Sequence, residues 1–175
     1  MDNFEVDNAL ETMVILYDTR EQDTPALRRR LSAFPCGSRR EMCDFGDYSV
    51  ACKLPDGSEF SLNGVVAIER KMSLEELSRN FTAGRKRFAN EFSRATANGG
   101  KLYLLVENGN WDKLFAGRYK TKFGKEAFIA SLCAWQARYD TQVLFCSSEI
   151  APMLIYKILH YELKERLADV EVQNA

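Results

Sequence analysis

Three stretches of this chain are apolar without alternation: Met-Val-Ile-Leu-Tyr at 13–17, Val-Val-Ala-Ile at 65–68 and Leu-Tyr-Leu-Leu-Val at 102–106. Side chains alternate across a strand, so a run with no polar member has both faces covered. Such strands need a sheet with helices on each side, and the rest of the sequence supplies the helices. Thr24-Pro25 opens one that runs to about Phe34, with Thr as N-cap and Pro in the first turn. Ser73, with Glu76 three residues on, reads as a capping box. Gly84–Asn98 carries Phe88, Phe92 and Ala95 on one face and stops at Gly99. Lys125–Tyr139 (Phe128, Leu132, Trp135) and Glu149–Ala168 read as two more helices. Asp47–Leu54 and Thr141–Cys146 read as strands, and Pro55-Asp56-Gly57 as a turn. Strands cluster first and then alternate with helices. That order predicts an α/β chain with a mixed β-sheet flanked by helices on both faces. Over 175 residues a single domain spanning 13–175 is expected. Residues 1–12, weakly periodic, read as a flexible N-terminal segment.

The totals exclude several classes. The formal net charge is -1, so no global basic excess advertises a nucleic-acid partner, and any such role rests on local patches. No stretch approaches the ~20 apolar residues of a membrane span. The N-terminus is acidic and lacks an apolar run, which argues against a secretory signal, so a cytoplasmic location is expected. The five cysteines, at 36, 43, 52, 133 and 146, are odd in number and form no Cys-x-x-Cys pair, which suits reduced thiols. With only His160 beside them, they do not spell a zinc site.

The second apolar run ends in Glu69-Arg70-Lys71. Alternation sends Glu69 and Lys71 to one face of the strand and Arg70 to the other. An isolated Glu-x-Lys is usually a salt-bridged pair at a strand's edge. This one has Gly46-Asp47 upstream, a further acidic segment at Asp18-Thr19-Arg20-Glu21, and Glu75 four residues past the lysine. The unit resembles the Glu-x-Lys half of the PD-(D/E)XK nuclease pattern, with Asp47 as the carboxylate from the preceding strand. The resemblance implies that the glutamate holds a divalent metal and that the lysine lies near the attacking water and the scissile phosphate.

Together these motifs resemble the signature of the XPF-type structure-specific endonucleases: Gly-Asp, a gap, then Glu-Arg-Lys-x-x-x-Asp. Here Gly46-Asp47 is followed, after a gap of 21 residues, by Glu69-Arg70-Lys71-Met72-Ser73-Leu74-Glu75. The family's Asp-x-Arg-Glu segment is matched by Asp18-Thr19-Arg20-Glu21. Its Arg-Phe-x-x-Gln is matched by Arg87-Phe88-Ala89-Asn90-Glu91, with Glu for Gln. The resemblance covers roughly residues 13 to 146. It departs in two places: Glu75 replaces the closing Asp, and the tandem helix-hairpin-helix module that many members carry does not follow. It implies a restriction-endonuclease-like fold in stand-alone form and a Mg²⁺- or Mn²⁺-dependent endonuclease. The implied substrates are branched, flapped or junction DNA in repair, recombination or replication. A homodimer formed through this domain is implied, with a separate DNA-binding or replication protein as a further partner, in a bacterial or archaeal cell or an infected host cell.

Residue by residue, Asp47 and Glu69 are the expected metal ligands, with Asp18 and Glu21 as a second ligand set or as outer support. Crowded carboxylates repel, a cost that a cation relieves. Lys71 completes the catalytic group. Arg20 and Arg70 either pair with phosphate or steady the carboxylates, Arg70 from behind the sheet. Glu75 is counted with the catalytic residues, although an acid in a first helical turn also suits the macrodipole; Glu76 is read as a cap. From Arg79 to Lys101 six basic residues face one acid, and from Lys113 to Lys125 five basic residues face none. Arg85, Lys86 and Arg87, and Lys120 and Lys122, are the candidates for the DNA backbone. The alternative to an enzyme is a non-catalytic DNA-binding or scaffolding subunit of the same fold.

Overall fold

Each apolar run becomes a strand inside one sheet. The computed structural model of the protein describes residues 1–170. It holds strands β1 (Val14–Asp18), β2 (Gly37–Glu41), β3 (Tyr48–Lys53), β4 (Glu59–Ser61), β5 (Val66–Lys71), β6 (Lys101–Glu107) and β7 (Val143–Cys146). The helices are α1 (Asn3–Glu11), α2 (Pro25–Ser32), α3 (Leu74–Phe81), α4 (Arg85–Ala97), α5 (Trp111–Phe115), α6 (Lys125–Tyr139) and α7 (Ala151–Ala168). The sheet order is β2-β1-β3-β5-β6-β7, with β4 beside β3. β1–β2, β5–β6 and β6–β7 are parallel, whereas β3 is antiparallel to β1, β4 and β5. This is the mixed, doubly covered sheet that the patterning predicts.

Alternate strand residues feed two cores. On one face Ile15, Val50, Val66, Ile68, Tyr103 and Leu105 pack with Ile155, Leu159 and Leu163 of α7 and with α1. On the other, Ala67, Leu102, Leu104 and Val106 pack with Leu77 and Phe81 of α3, Phe88 and Phe92 of α4, and Phe128, Leu132 and Trp135 of α6. Trp135 is fully buried. It stacks on Phe88 at 5.6 Å and meets Phe81 edge-on at 5.0 Å. Burying rings of this size dominates the energetics of the second face.

Residues 1–12 correct the expectation of a loose segment. Asp2 and Glu5 form a capping box that starts α1, Val6 and Ala9 are buried in the α7 core, and the Met1 ammonium donates to the Val170 carbonyl at 2.7 Å. Two inward side chains in nine residues are too sparse a pattern to read as amphipathic. The helix is held by packing, as short helices generally are. β2, β4 and α5 were likewise not legible. β2 (Gly-Ser-Arg-Arg-Glu) has no apolar residue and forms by backbone pairing with β1 at the sheet's edge.

One detail of register positions the site. β3 pairs with β5 only at Tyr48↔Ile68, and β4 takes over the rest of that edge. One antiparallel step further, Asp47 stands opposite Glu69. The last residues of β5 therefore run past the start of β3 into a cleft beneath α3 and α4.

Candidate active site

The turn before β3 is built around Gly46, which has φ +71 and no room for a Cβ, since one would meet the Ala67 Cβ at 2.8 Å. Only glycine combines that backbone with that proximity. The turn delivers Asp47 to β5 with its backbone fully engaged. The Asp47 N–H donates to the Ile68 carbonyl and its carbonyl accepts from the Asp18 N–H, both at 2.9 Å. The Arg70 N–H donates to Asp47 Oδ2 at 2.7 Å, leaving Oδ1 without a protein donor among the described residues.

Glu69 and Lys71 share the face of β5 toward α4, as alternation requires. Lys71 Nζ donates to Glu69 Oε1 at 2.5 Å, their side chains 9% and 10% exposed. The ammonium lies 5.4 Å above the Phe88 ring. Asp47 is half-buried by surface yet crowded by protein atoms on nearly every side. Burial, and then the Glu69 charge, push its carboxyl well above the usual range, against the pull of Lys71 and the Arg70 N–H. Burial raises Glu69 too, with Lys71 opposing. Burial alone would lower Lys71, but Glu69 and Asp47 outweigh it and keep the amine protonated. The cleft thus contains two carboxylates that resist ionisation in the absence of further positive charge.

Arg20, Glu21, Glu76, Asn80, Arg87, Glu91 and Arg94 complete the walls. Glu91 ties three segments together: it accepts the Gly46 N–H at 2.9 Å, pairs with Arg94 at 2.6 Å and reaches Arg20 at 3.8 Å. Glu76 accepts the Met72 N–H at 2.7 Å, one residue before the Ser73 cap, so its carboxylate caps α3 from within the cleft. Among the described residues Asn80 Oδ1 is buried without a donor, an orphaned acceptor in the same wall. Sequence reasoning passed over Glu76, Asn80, Glu91 and Arg94 as site residues. The legible signal was the i, i+4, i+7 spacing of Arg87, Glu91 and Arg94 beside the buried Phe88, Phe92 and Ala95 stripe.

Three residues counted with the catalytic group lie outside the cleft. Asp18 is 1% exposed. Its two oxygens are taken by the Arg20 N–H and guanidinium and by the Cys43 N–H. Burial would raise its carboxyl, but those bonds outweigh it and hold the carboxyl low; Asp18 thereby aims Arg20 at the cleft. Arg70 points through the sheet and pairs bidentately with the buried Glu107 at 2.6 and 2.8 Å. Glu75 accepts the Lys120 N–H at 2.8 Å. Of the DNA-backbone candidates, Arg87 lines the cleft. Arg85 lies 5.3 Å over Trp135, Lys86 is exposed at the start of α4, and Lys120 and Lys122 are exposed between α5 and α6.

Among the described residues no three Asp, Glu, His or Cys side chains converge tightly enough to enclose a metal ion. Asp47 and Glu69 each keep one carboxylate oxygen without a protein donor. A cation between them would offset the burial and negative charge that push both carboxyls up. Two carboxylates suit Mg²⁺, which keeps several waters and takes other ligands from a substrate phosphate. The five cysteines are free thiols. Burial, then Asp18 and Asp47, push Cys43 up to about 12, which keeps it a thiol at neutral pH.

The ERCC4 domain family model matches residues 17–157. Two solved structures share the fold. One, described as XPF from Aeropyrum pernix, has a TM-score of 0.60 and 17% identity, covering 93% of this chain and 64% of that one. The other, XPF from Aeropyrum pernix in complex with DNA, has a TM-score of 0.56 and 17% identity, covering 93% and 68%. This chain thus spans under two-thirds of the first of them. No curated protein matches the sequence.

Proposed function

The chain belongs to the ERCC4 domain family, and from that premise we propose that it is a divalent-metal-dependent endonuclease that hydrolyses phosphodiester bonds in branched, flapped or junction DNA. The observation that carries this reading is the convergence of Asp47, Glu69 and Lys71 in one cleft, with both carboxylates held protonation-prone by burial. The DNA-bound neighbour supports DNA as the partner.

In this reading Asp47 and Glu69 would hold Mg²⁺ or Mn²⁺, with Glu21 in the same cleft as a further carboxylate. The ion, when bound, supplies a polarised water and neutralises charge on the phosphoryl group. Lys71, kept as an ammonium, donates to a non-bridging phosphate oxygen and stabilises the charge that grows there. Arg20, Arg87 and Arg94 seat the flanking phosphates; Lys86, Lys120 and Lys122 extend that contact outward. Arg70 steadies Asp47 through its backbone N–H. A second copy of the chain docks on α7, and a separate protein brings the enzyme to its place in repair, recombination or replication.

Labelled flap, fork and junction oligonucleotides, incubated with Mg²⁺ or Mn²⁺ and then with chelator, test this. We expect cleavage that chelator abolishes and that Asp47→Ala and Glu69→Ala each reduce by at least about 10–100-fold, the loss typical even of a residue that only orients a metal ligand. Undiminished cleavage by either variant overturns the assignment. One other reading is a non-catalytic DNA-binding subunit; among the described residues no three potential ligands converge on one point. Metal-dependent thermal stabilisation of the native chain but not of Glu69→Ala separates the two.

A further inference from the structure

Glu75 occupies the closing position of the Glu-Arg-Lys-x-x-x-acid signature, yet its carboxylate is not among the walls of the cleft. Oε1 accepts the backbone N–H of Lys120 at 2.8 Å, a contact 45 residues away in sequence. That N–H is also the largest influence holding the Glu75 carboxyl low.

The segment it grips, residues 116–124, is well braced. It leaves α5 with the Arg118 N–H donating to the Lys113 carbonyl at 2.8 Å, next to Gly117 at φ +63. The Tyr119 hydroxyl donates to the Phe123 carbonyl at 2.9 Å. Both rings pack on Phe128 of α6, at 5.3 and 5.2 Å. With the aromatic side chains turned inward, Arg118, Lys120 and Lys122 are exposed. Among the described residues the charged group of none of the three lies within 4 Å of a carboxylate oxygen. Three unpaired cations on a braced backbone form a surface for a polyanion, because such a surface loses little entropy when phosphates bind.

We infer that Glu75 is the clip that fixes this basic segment against α3 as a second phosphate-backbone surface for a DNA arm, and that it takes no part in metal binding. The inference rests on the DNA-nuclease reading above. α3 starts three residues after Lys71, so the clip ties the position of the basic segment to that of the catalytic strand. A carboxylate serves because an N–H needs only an acceptor, and an amide oxygen serves equally.

The test compares Glu75→Ala, Glu75→Gln and the double variant Lys120→Ala/Lys122→Ala in the full chain. Steady-state cleavage of a flap substrate in Mg²⁺, fluorescence anisotropy with the same DNA, and Mn²⁺ titration followed by thermal shift are measured for each. Glu75→Ala and the double variant should raise KM and the anisotropy Kd about tenfold, the scale of losing one or two phosphate contacts. Their kcat and Mn²⁺ midpoint should stay within about twofold of the native chain, since the chemical step is untouched. Glu75→Gln should match the native chain. Loss of kcat and of the Mn²⁺ response in both Glu75→Ala and Glu75→Gln overturns the proposal, because a metal ligand tolerates neither change. Should Glu75→Ala melt early, the double variant decides the surface: unchanged DNA affinity there overturns it. Anisotropy is independent of turnover. A native chain that binds DNA but never cuts it overturns the nuclease reading while the Ala–Gln contrast still decides the clip; one that binds no DNA overturns both.

Discussion

At the scale of the residue, the site is an electrostatic conflict that the fold imposes. Asp47 would ionise freely in water, but burial and Glu69 hold its proton well above the usual carboxylate range. The native chain then binds a proton that the unfolded chain has released. In the window from the ordinary Asp value, about 4, up to the raised one, stability must fall as pH rises. His160, lowered by burial, contributes the opposite slope, so the informative quantity is a difference. In chelator, the stability of the native chain minus that of Asp47→Asn should decrease with rising pH across that window, read from urea melts. Adding Mg²⁺ should reverse the trend, because the ion displaces the proton. A pH-independent difference would exclude Asp47 as a strained acid. Asp18 carries the opposite sign: its lowered carboxyl stabilises above the ordinary range and loses that contribution as pH falls.

At the scale of the element, what the sequence revealed depended on whether an element's pattern is local. β1, β5 and β6 could be read because both of their faces are buried, so the residues themselves carry the message. α4 and α6 could be read from period, with Phe88, Phe92, Phe128 and Trp135 in register with 3.6 residues per turn. α1 could not, since Val6 and Ala9 acquire their meaning only from α7. That contact is testable. Removing residues 1–12 uncovers part of the α7 core and should cost about 2–4 kcal/mol in denaturant melts, the scale of losing two buried apolar side chains and the contact around them. Cleavage by the folded fraction should be unaffected, because α1 lies on the face of the sheet away from the cleft. A truncated chain of native stability would show that α1 rests on the surface without supporting it.

At the scale of the whole molecule, the two faces of the sheet have different tasks. The α3–α4–α6 face carries the cleft. The α7 face has a second apolar stripe beyond its buried one, with Ile150, Met153 and Tyr161 exposed beside the half-buried Leu154 and Ile158. Apolar residues around most of a helix's circumference suit one covered on more than one side. If a second copy supplies the cover, sedimentation equilibrium should give a dimer for the native chain. Met153→Glu/Tyr161→Glu should give a monomer that melts at the native temperature; a native monomer at micromolar concentration would remove the dimer. Among the described residues no helix is long and apolar enough to cross a membrane.

The sequence by itself determined the layering and pointed to the strand ends where a candidate centre forms. Continuous apolar runs require a two-sided sheet, and an Asp and a Glu-x-Lys at strand ends bring acid and amine together wherever those strands pair. Only the tertiary structure decided which charges belong to that centre. Asp18, Arg70 and Glu75 stand in the same motifs as Asp47, Glu69 and Lys71, yet each is claimed by a partner on another segment: Cys43 as well as Arg20 for Asp18, Glu107 for Arg70, Lys120 for Glu75. Glu91, Glu76 and Asn80 were brought in by α3 and α4 instead. A motif gives the order of groups along the chain. Whether a charged group faces the cleft or is already neutralised depends on contacts across tens of residues, and those exist only once the chain has folded.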